Sequence, residues 1–239
     1  MIIYTPLLIT VDNARLLTGI KMIDVTSIQS ALHKLHTISG VPNIVISSIK
    51  VSSKNLYATL ATHNICTPNA PVTVTGQGSP PIGEGEYLLC LTSTLLSTNH
   101  QPAASPATTT SMENSQALST VHAICFPKIK GYFSGVGDLF SALVLGHFTP
   151  GSSGTALANA TSLALSTTQA IISSTDEYCS TLSDEECPPT DEELDARDPE
   201  RRVNRMRARE LRIVPGMTEI ITPSQWLELV EWGAFWKLV

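Results

Sequence analysis

No apolar run in this 239-residue chain reaches the roughly 18 residues that a membrane-crossing helix needs. No secretory leader is expected at this start either: Met1-Ile-Ile-Tyr carries no basic stretch, and the apolar run behind it breaks at Thr10 and Asp12. Basic charge is scarce. Lys and Arg number 15 against 21 Asp and Glu, a net charge of -6, which points away from nucleic acid and anionic membranes as partners. The five cysteines (Cys66, Cys90, Cys125, Cys179, Cys187) form no CxxC and no zinc-like spacing. An odd number of scattered thiols reads as a reducing compartment, so a soluble, cytoplasmic protein is expected, with no function assigned to any cysteine. His33 and His36 share a helix face without a third ligand, and His147 closes an apolar helix, so no metal site is expected from the histidines. No internal repeat is visible.

What the chain does have is apolar content. Hydrophobic residues make up 42% and charged ones 15%, enough to bury a core and too few charges for global disorder. Ala14–Gly19 reads as a short helix closed by glycine, with Leu16 and Leu17 facing a core. Residues 24–39 carry apolar groups at 25, 28, 31, 32, 35 and 38, a helical spacing that Asp24 or Thr26 caps and Gly40-Val-Pro stops. Asn43–Ser48 is a β-branched run that reads as a buried strand ending in two hydroxyls. A helix followed by such a strand is the repeating unit of a parallel α/β sheet.

Further strands are expected at Leu56–Thr62, Tyr87–Thr92 and Val121–Phe126, paired antiparallel or at an edge, with turns at Gly76–Pro81 and Gly83–Gly85. Residues 98–118 are polar and of low complexity, a flexible surface insertion. Gly137–Phe148 and Ala156–Ser173 read as apolar helices that pack side by side. The acid-rich stretch 176–200 and the arginine-rich stretch 201–212 read as a solvated charged loop (176–204) leading into a helix or strand. Glu210-Leu-Arg-Ile-Val214 reads as a last edge strand. The tail from Gln225 to Trp236 is aromatic and amphipathic, suited to docking on a core or to a partner surface.

The segment richest in chemistry is Phe133-Ser-Gly-Val-Gly-Asp-Leu-Phe140. Two glycines around one residue free the backbone to bend, so that the amides of Gly135, Val136 and Gly137 can converge. The helix starting there adds its positive end, and together they make a cradle for a phosphate or a developing anion. Asp138 stands at the same end, where a carboxylate is a poor phosphate ligand but a good acceptor for a hydroxyl proton during phosphoryl transfer. Taken alone, the same residues also describe an ordinary helix start, with glycine for packing and aspartate for capping.

The surrounding residues extend the pattern. Phe133–Leu143 resembles the anion-hole and catalytic-base motif of ribokinase-like kinases, and its Gly-Asp-Leu-Phe form is similar to that of pyridoxal kinases. Leu16-Leu-Thr-Gly19 resembles the end of that family's Thr-Pro-Asn-x-x-Glu-Ala-x-x-Leu-Thr-Gly segment. Val45-Ile-Ser-Ser48 resembles the strand whose terminal hydroxyls reach the ATP phosphates, and Glu210–Val214 the closing strand. The likeness covers roughly 14–50 and 120–215.

It implies a ribokinase-like three-layer α/β/α sandwich, incomplete on its N-terminal side, with residues 1–221 forming a partial kinase domain and 222–239 a tail foreign to the family. The implied activity is ATP-dependent phosphorylation of pyridoxal, pyridoxine or pyridoxamine at the 5′-hydroxymethyl group in vitamin B6 salvage. Asp138 would be the base, and Gly135, Val136 and Gly137 the anion hole. Ser47 and Ser48 would contact ATP phosphates, and Phe126, Pro127, Lys128 and Ile129 would line the adenine pocket. Mg²⁺, often with K⁺, would accompany ATP, and the full-length protein would be a homodimer.

The departures are specific. Val136 replaces a frequent Thr, leaving the amides intact. The family's Asn-x-x-Glu falls by spacing on Thr10 and Asn13, so its carboxylate is missing, although Thr5-Pro6 echoes the motif's start. The chain starts near the family's midpoint, as a truncated reading frame with altered residues 1–13 or as a divergent fragment would. An inactive nucleotide-binding module and a related kinase, such as one for hydroxymethylpyrimidine, are the alternatives.

Overall fold

A computed structural model describes residues 5–51, 53–66, 86–96 and 118–238. The chain divides into two compact units. One contains the described residues up to Cys66, those between Tyr87 and Cys125 and those from Val230 onward; the other contains Glu86 and Phe126–Leu229.

The first unit is built on a five-stranded mixed sheet in the order β1 (Leu7–Thr10), β2 (Asn43–Val51), β3 (Tyr87–Leu95), β4 (Ser119–Pro127) and β5 (Val230–Glu231). β1 runs parallel to β2, as a helical crossover requires, whereas β2–β3 and β4–β5 are antiparallel. Between β1 and β2 lie α1 (Val11–Thr18) and α2 (Val25–Ser39). Asp24 and Ser27 close a capping box at the start of α2, and Gly40 ends it at φ 61°. Ile28, Ala31, Leu32 and Leu35 form its buried stripe, packed with Ile44, Ile46, Leu89, Leu91 and Phe235 in one core.

Several expectations change here. Leu16 and Leu17 are 82% and 59% exposed; the buried stripe of α1 is instead Ala14 and Thr18, one helical turn apart. Leu56–Thr62 is not a strand but the body of α3 (Lys54–Thr62). Ser53 accepts the Leu56 N–H at 3.0 Å, and Leu56 and Leu60 bury the same helix face, so cap and helical period outweigh the β-favouring Tyr and Thr. Cys66 and Cys125 are not free thiols but a disulfide across 59 residues, with Cα atoms 4.7 Å apart. The fold creates that pairing: the Cys125 N–H donates to Ile65 O at 3.0 Å, laying β4 beside the turn after α3. The tail supplies β5 and buries Trp232 and Phe235.

In the second unit α4 (Val136–His147) packs on the long α5 (Ala156–Thr181). The buried hydroxyls of α5 hold the backbone that follows it. Ser162 accepts the Leu229 N–H at 2.9 Å, Ser166 that of Leu227 at 3.0 Å, and Thr175 that of Arg212 at 3.2 Å. These bonds satisfy amides that have no sheet partner. The stretch read as a charged loop carries α6 (Glu192–Arg197) and α7 (Pro199–Ala208), capped by Asp191 and Asp198, with Pro199 in the first turn. Instead of a closing strand, Glu210–Val214 makes a single parallel bridge, Glu210 to Ser134, before α8 (Met217–Ile221): Thr175 takes the Arg212 amide that a ladder would need. The proposed insertion 98–118, apart from Leu118, and the turns at Gly76–Pro81 and Gly83–Gly85 lie outside the described residues. No helix among the described residues is long and apolar enough to cross a membrane.

Candidate functional site

The glycine turn opens α4. Gly135 is its N-cap at φ 87°, ψ 0°, a backbone state costly for residues with a Cβ. Among the described residues no side chain caps the helix, so the first-turn amides have no side-chain acceptor there; Asp138 is the acidic residue of that turn. A Cβ built on Gly135 or Gly137 would meet nothing within 4 Å among the described residues, so these leave the space over both glycines open to a ligand. Asp138 is exposed at this end, while Phe140, Leu143 and Val144 anchor the opposite face of the helix. Uncapped amides, open space and an exposed carboxylate therefore share one helix start. That arrangement can receive an oxyanion on the amides and a proton on the carboxylate.

The arm leading into the turn is fixed from the end of α7. The Ser134 N–H donates to Arg209 O at 3.3 Å, and the Arg209 guanidinium lies 5.5 Å from the centroid of the Phe133 ring. Local sequence gives no reason to single out Arg209; its role comes from a chain reversal through α5 and α7. Upstream, Phe126 is buried and Pro127–Ile129 are half-buried. The Lys128 ammonium pairs with the Glu86 carboxylate, and its backbone N–H donates to Glu86 O at 2.8 Å. Phe126–Ile129 and Gly135–Asp138 thus belong to the same unit.

Ser47 and Ser48 belong to the other unit. They do not end β2 but bulge within it: between the pairs Ile46–Leu91 and Ile49–Leu89, two residues of β2 oppose the one residue Cys90. Ser48 is exposed and takes φ 65°, which is unusual for a residue other than glycine. Ser47 lies opposite Thr10 in the parallel register. Thr10 and Asn13, where the resemblance wants Asn-x-x-Glu, serve the helix instead: Thr10 Oγ1 accepts the Asn13 N–H at 3.3 Å and caps α1. Among the described residues no group of three or more His, Cys, Asp or Glu is arranged to hold a metal ion. For the Mg²⁺ and K⁺ that the resemblance implies, the described residues offer the Asp138 carboxylate at the turn, which does not by itself make a protein-built cage.

Neither protein-family profiles nor curated proteins give a match to the sequence. Solved structures do. The pyridoxal kinase from Leishmania donovani, in complex with ADP and pyridoxamine, superposes with a TM-score of 0.55 at 17% identity, covering 95% of this chain and 51% of its own. The pyridoxal kinase from Trypanosoma brucei gives 0.51 at 17% identity, covering 94% and 51%. The Plasmodium falciparum PdxK with AMP-PNP and PL gives 0.53 at 15% identity, covering 95% and 49%. This chain therefore spans about half the length of these structures. What it shares with them is the α/β fold, a mixed sheet flanked by helices.

Proposed function

We propose that this chain carries the phosphoryl-transfer part of an ATP-dependent kinase for pyridoxal, pyridoxine and pyridoxamine, in salvage of vitamin B6. The observation that supports this most is the start of α4, where uncapped amides and Asp138 flank open space. In the proposed reaction Asp138 accepts the proton of the 5′-hydroxymethyl group as its oxygen bonds to the γ-phosphorus of ATP. The bond from that phosphorus to the bridging oxygen breaks, and ADP leaves with the electron pair. Amides of Gly135, Val136 and Gly137 stabilise the charge on the phosphoryl oxygens in flight. Ser47 and Ser48 contact the ATP phosphates, and Phe126–Ile129 line the adenine pocket. Mg²⁺ would neutralise phosphate charge when bound with ATP; no residue of this chain is assigned to it. A homodimer for a full-length form completes the reading; the Cys66–Cys125 disulfide removes the free-thiol argument for a cytoplasmic location.

A second reading is favoured by Thr10 and Asn13, whose roles as helix cap leave the family's carboxylate position without an acid: a nucleotide-binding module without turnover. Calorimetric titration with ATP, followed by a coupled assay for ADP with pyridoxal and with hydroxymethylpyrimidine, separates the possibilities. Pyridoxal-dependent ADP formation is expected. Binding without turnover selects the second reading, preference for hydroxymethylpyrimidine selects the related kinase, and no ATP binding overturns all three.

A further inference from the structure

The loop from Lys130 to Tyr132 and the end of α7, both in the second unit, enclose a cavity of about 160 Å³ lined by Lys130, Tyr132, Thr190, Arg205 and Arg209 among others. Three cations meet there, and they are not equivalent. Arg205 is already neutralised, paired with the Asp195 carboxylate and bonded to the Pro189 carbonyl at 3.1 Å. Arg209 makes no ion pair among the described residues, and its Nε is buried without a hydrogen-bond partner. Lys130 is exposed and likewise unpaired among the described residues. Among the described residues the cavity therefore holds two cations without a counter-charge, beside Tyr132 and Thr190.

Arg209 comes close to the loop at Gly131. Gly131 has φ 116°, and a Cβ there would lie 1.8 Å from Arg209 Nη1. A side chain there would oblige the guanidinium to shift, and the positive φ itself favours glycine. A guanidinium nitrogen buried without a hydrogen bond is costly, and an oxyanion supplies one. The volume is well below the ~300–1,000 Å³ of pockets that enclose drug-sized ligands, so it suits one oxyanion group and not a nucleoside. Two free cations balance a dianion, which favours phosphate over a carboxylate.

We propose that this cavity is a phosphate-binding site, taking either free phosphate or the terminal phosphate of a small phosphorylated metabolite. The proposal goes beyond the kinase reading and does not depend on it, because it stands on the cavity alone and is read by binding, not turnover. Inorganic phosphate is titrated into the full chain and followed by calorimetry and by amide ¹H–¹⁵N shifts. Binding with shifts at Lys130–Tyr132 and Arg209 is expected, weakened about tenfold or more in both Arg209→Gln and Lys130→Gln. Gly131→Ala, which keeps every charge, should weaken it as well. Lys130 is exposed, so its variant keeps the test valid if Arg209→Gln fails to fold. Glycerol 3-phosphate in place of phosphate identifies the source: tighter binding marks a phosphorylated metabolite, equal or weaker binding marks free phosphate. No binding, shifts confined to Gly135–Asp138, or unchanged affinity in Lys130→Gln and Arg209→Gln would overturn the proposal.

Discussion

His36 Nε2 stands 2.7 Å from Ser93 Oγ in the core of the sheet-bearing unit. The other ring nitrogen, Nδ1, lies 2.6 Å from Val41 O, an acceptor only, so Nδ1 carries a proton. Ser93 is in turn bonded to Ser119 across 2.7 Å. All three residues are buried, and the chain of bonds ties α2 to β3 and β4.

Stability should therefore fall with acidification. Burial first, with the nearby His33 adding to it, lowers the His36 pKa, against a smaller upward pull from the Val41 carbonyl. A lowered histidine pKa means the unfolded chain binds the proton first. The stabilisation is complete above the unfolded value of about 6.5 and is lost as pH falls from there toward the folded value. His122, lowered by burial against the pull of Glu231, adds to the same slope. Urea midpoints between pH 5 and 8 should decline below about pH 6.5, and His36→Gln should flatten that decline while costing about 1–3 kcal/mol at pH 8. A wild-type midpoint independent of pH would remove His36 from this role.

Three thiols, not five, should react in denaturant without reductant, since Cys90, Cys179 and Cys187 are free. In the native protein Cys90 should be silent, because burial pushes its thiol up to about 12. Removing the Cys66–Cys125 link by Cys66→Ala should destabilise the chain by about 2–4 kcal/mol, given the long loop it closes. Five reactive thiols in unreduced protein would refute the link.

The aromatic tail should be part of the core energetically. Phe235 is fully buried, stacks edge-on with Trp232 and Trp236 at 5.0 and 4.9 Å, and its carbonyl receives the Gln29 amide. Phe235→Ala should cost about 3–5 kcal/mol, whereas Ile38→Ala, at a site 71% exposed, should cost under about 0.5 kcal/mol. Equal effects would mean the tail is not docked.

The bulge at Ser48 allows its hydroxyl and its backbone to be tested apart. Ser48→Gly removes the hydroxyl and relieves the positive φ, so stability should hold or rise. Ser48→Ala removes the hydroxyl and keeps the strain. Both should raise the ATP concentration needed for half-maximal binding. Unchanged ATP binding in both would show that this strand segment does not touch the nucleotide.

Features written in local residue order were the ones legible in the sequence. Asp24, Gly40 and the spacing between them define α2, and Gly135–Asp138 announce a helix start because two glycines and an acid act through their own backbone. Where a tertiary partner decides the outcome, local reading fails. Leu16 and Leu17 look like a core face, but Ala14 and Thr18 take it. Glu210 looks like the start of a strand, but α5 claims the following amides through Thr175. Cys66 finds Cys125, and Arg209 finds Gly131, only after distant segments fold against each other. Tyr57 and Thr59 favour a strand by type, and the Ser53 cap with the Leu56–Leu60 period reveals the helix.

The proton-accepting role of Asp138 is the central claim. Its side chain is exposed at the start of α4, so Asp138→Asn should leave the fold intact. The decisive measurement is pyridoxal-dependent ADP formation by Asp138→Asn against wild type, with ATP affinity measured in parallel. Turnover should drop about 10²–10⁴-fold with ATP affinity largely unchanged; turnover near the wild-type rate would contradict the account.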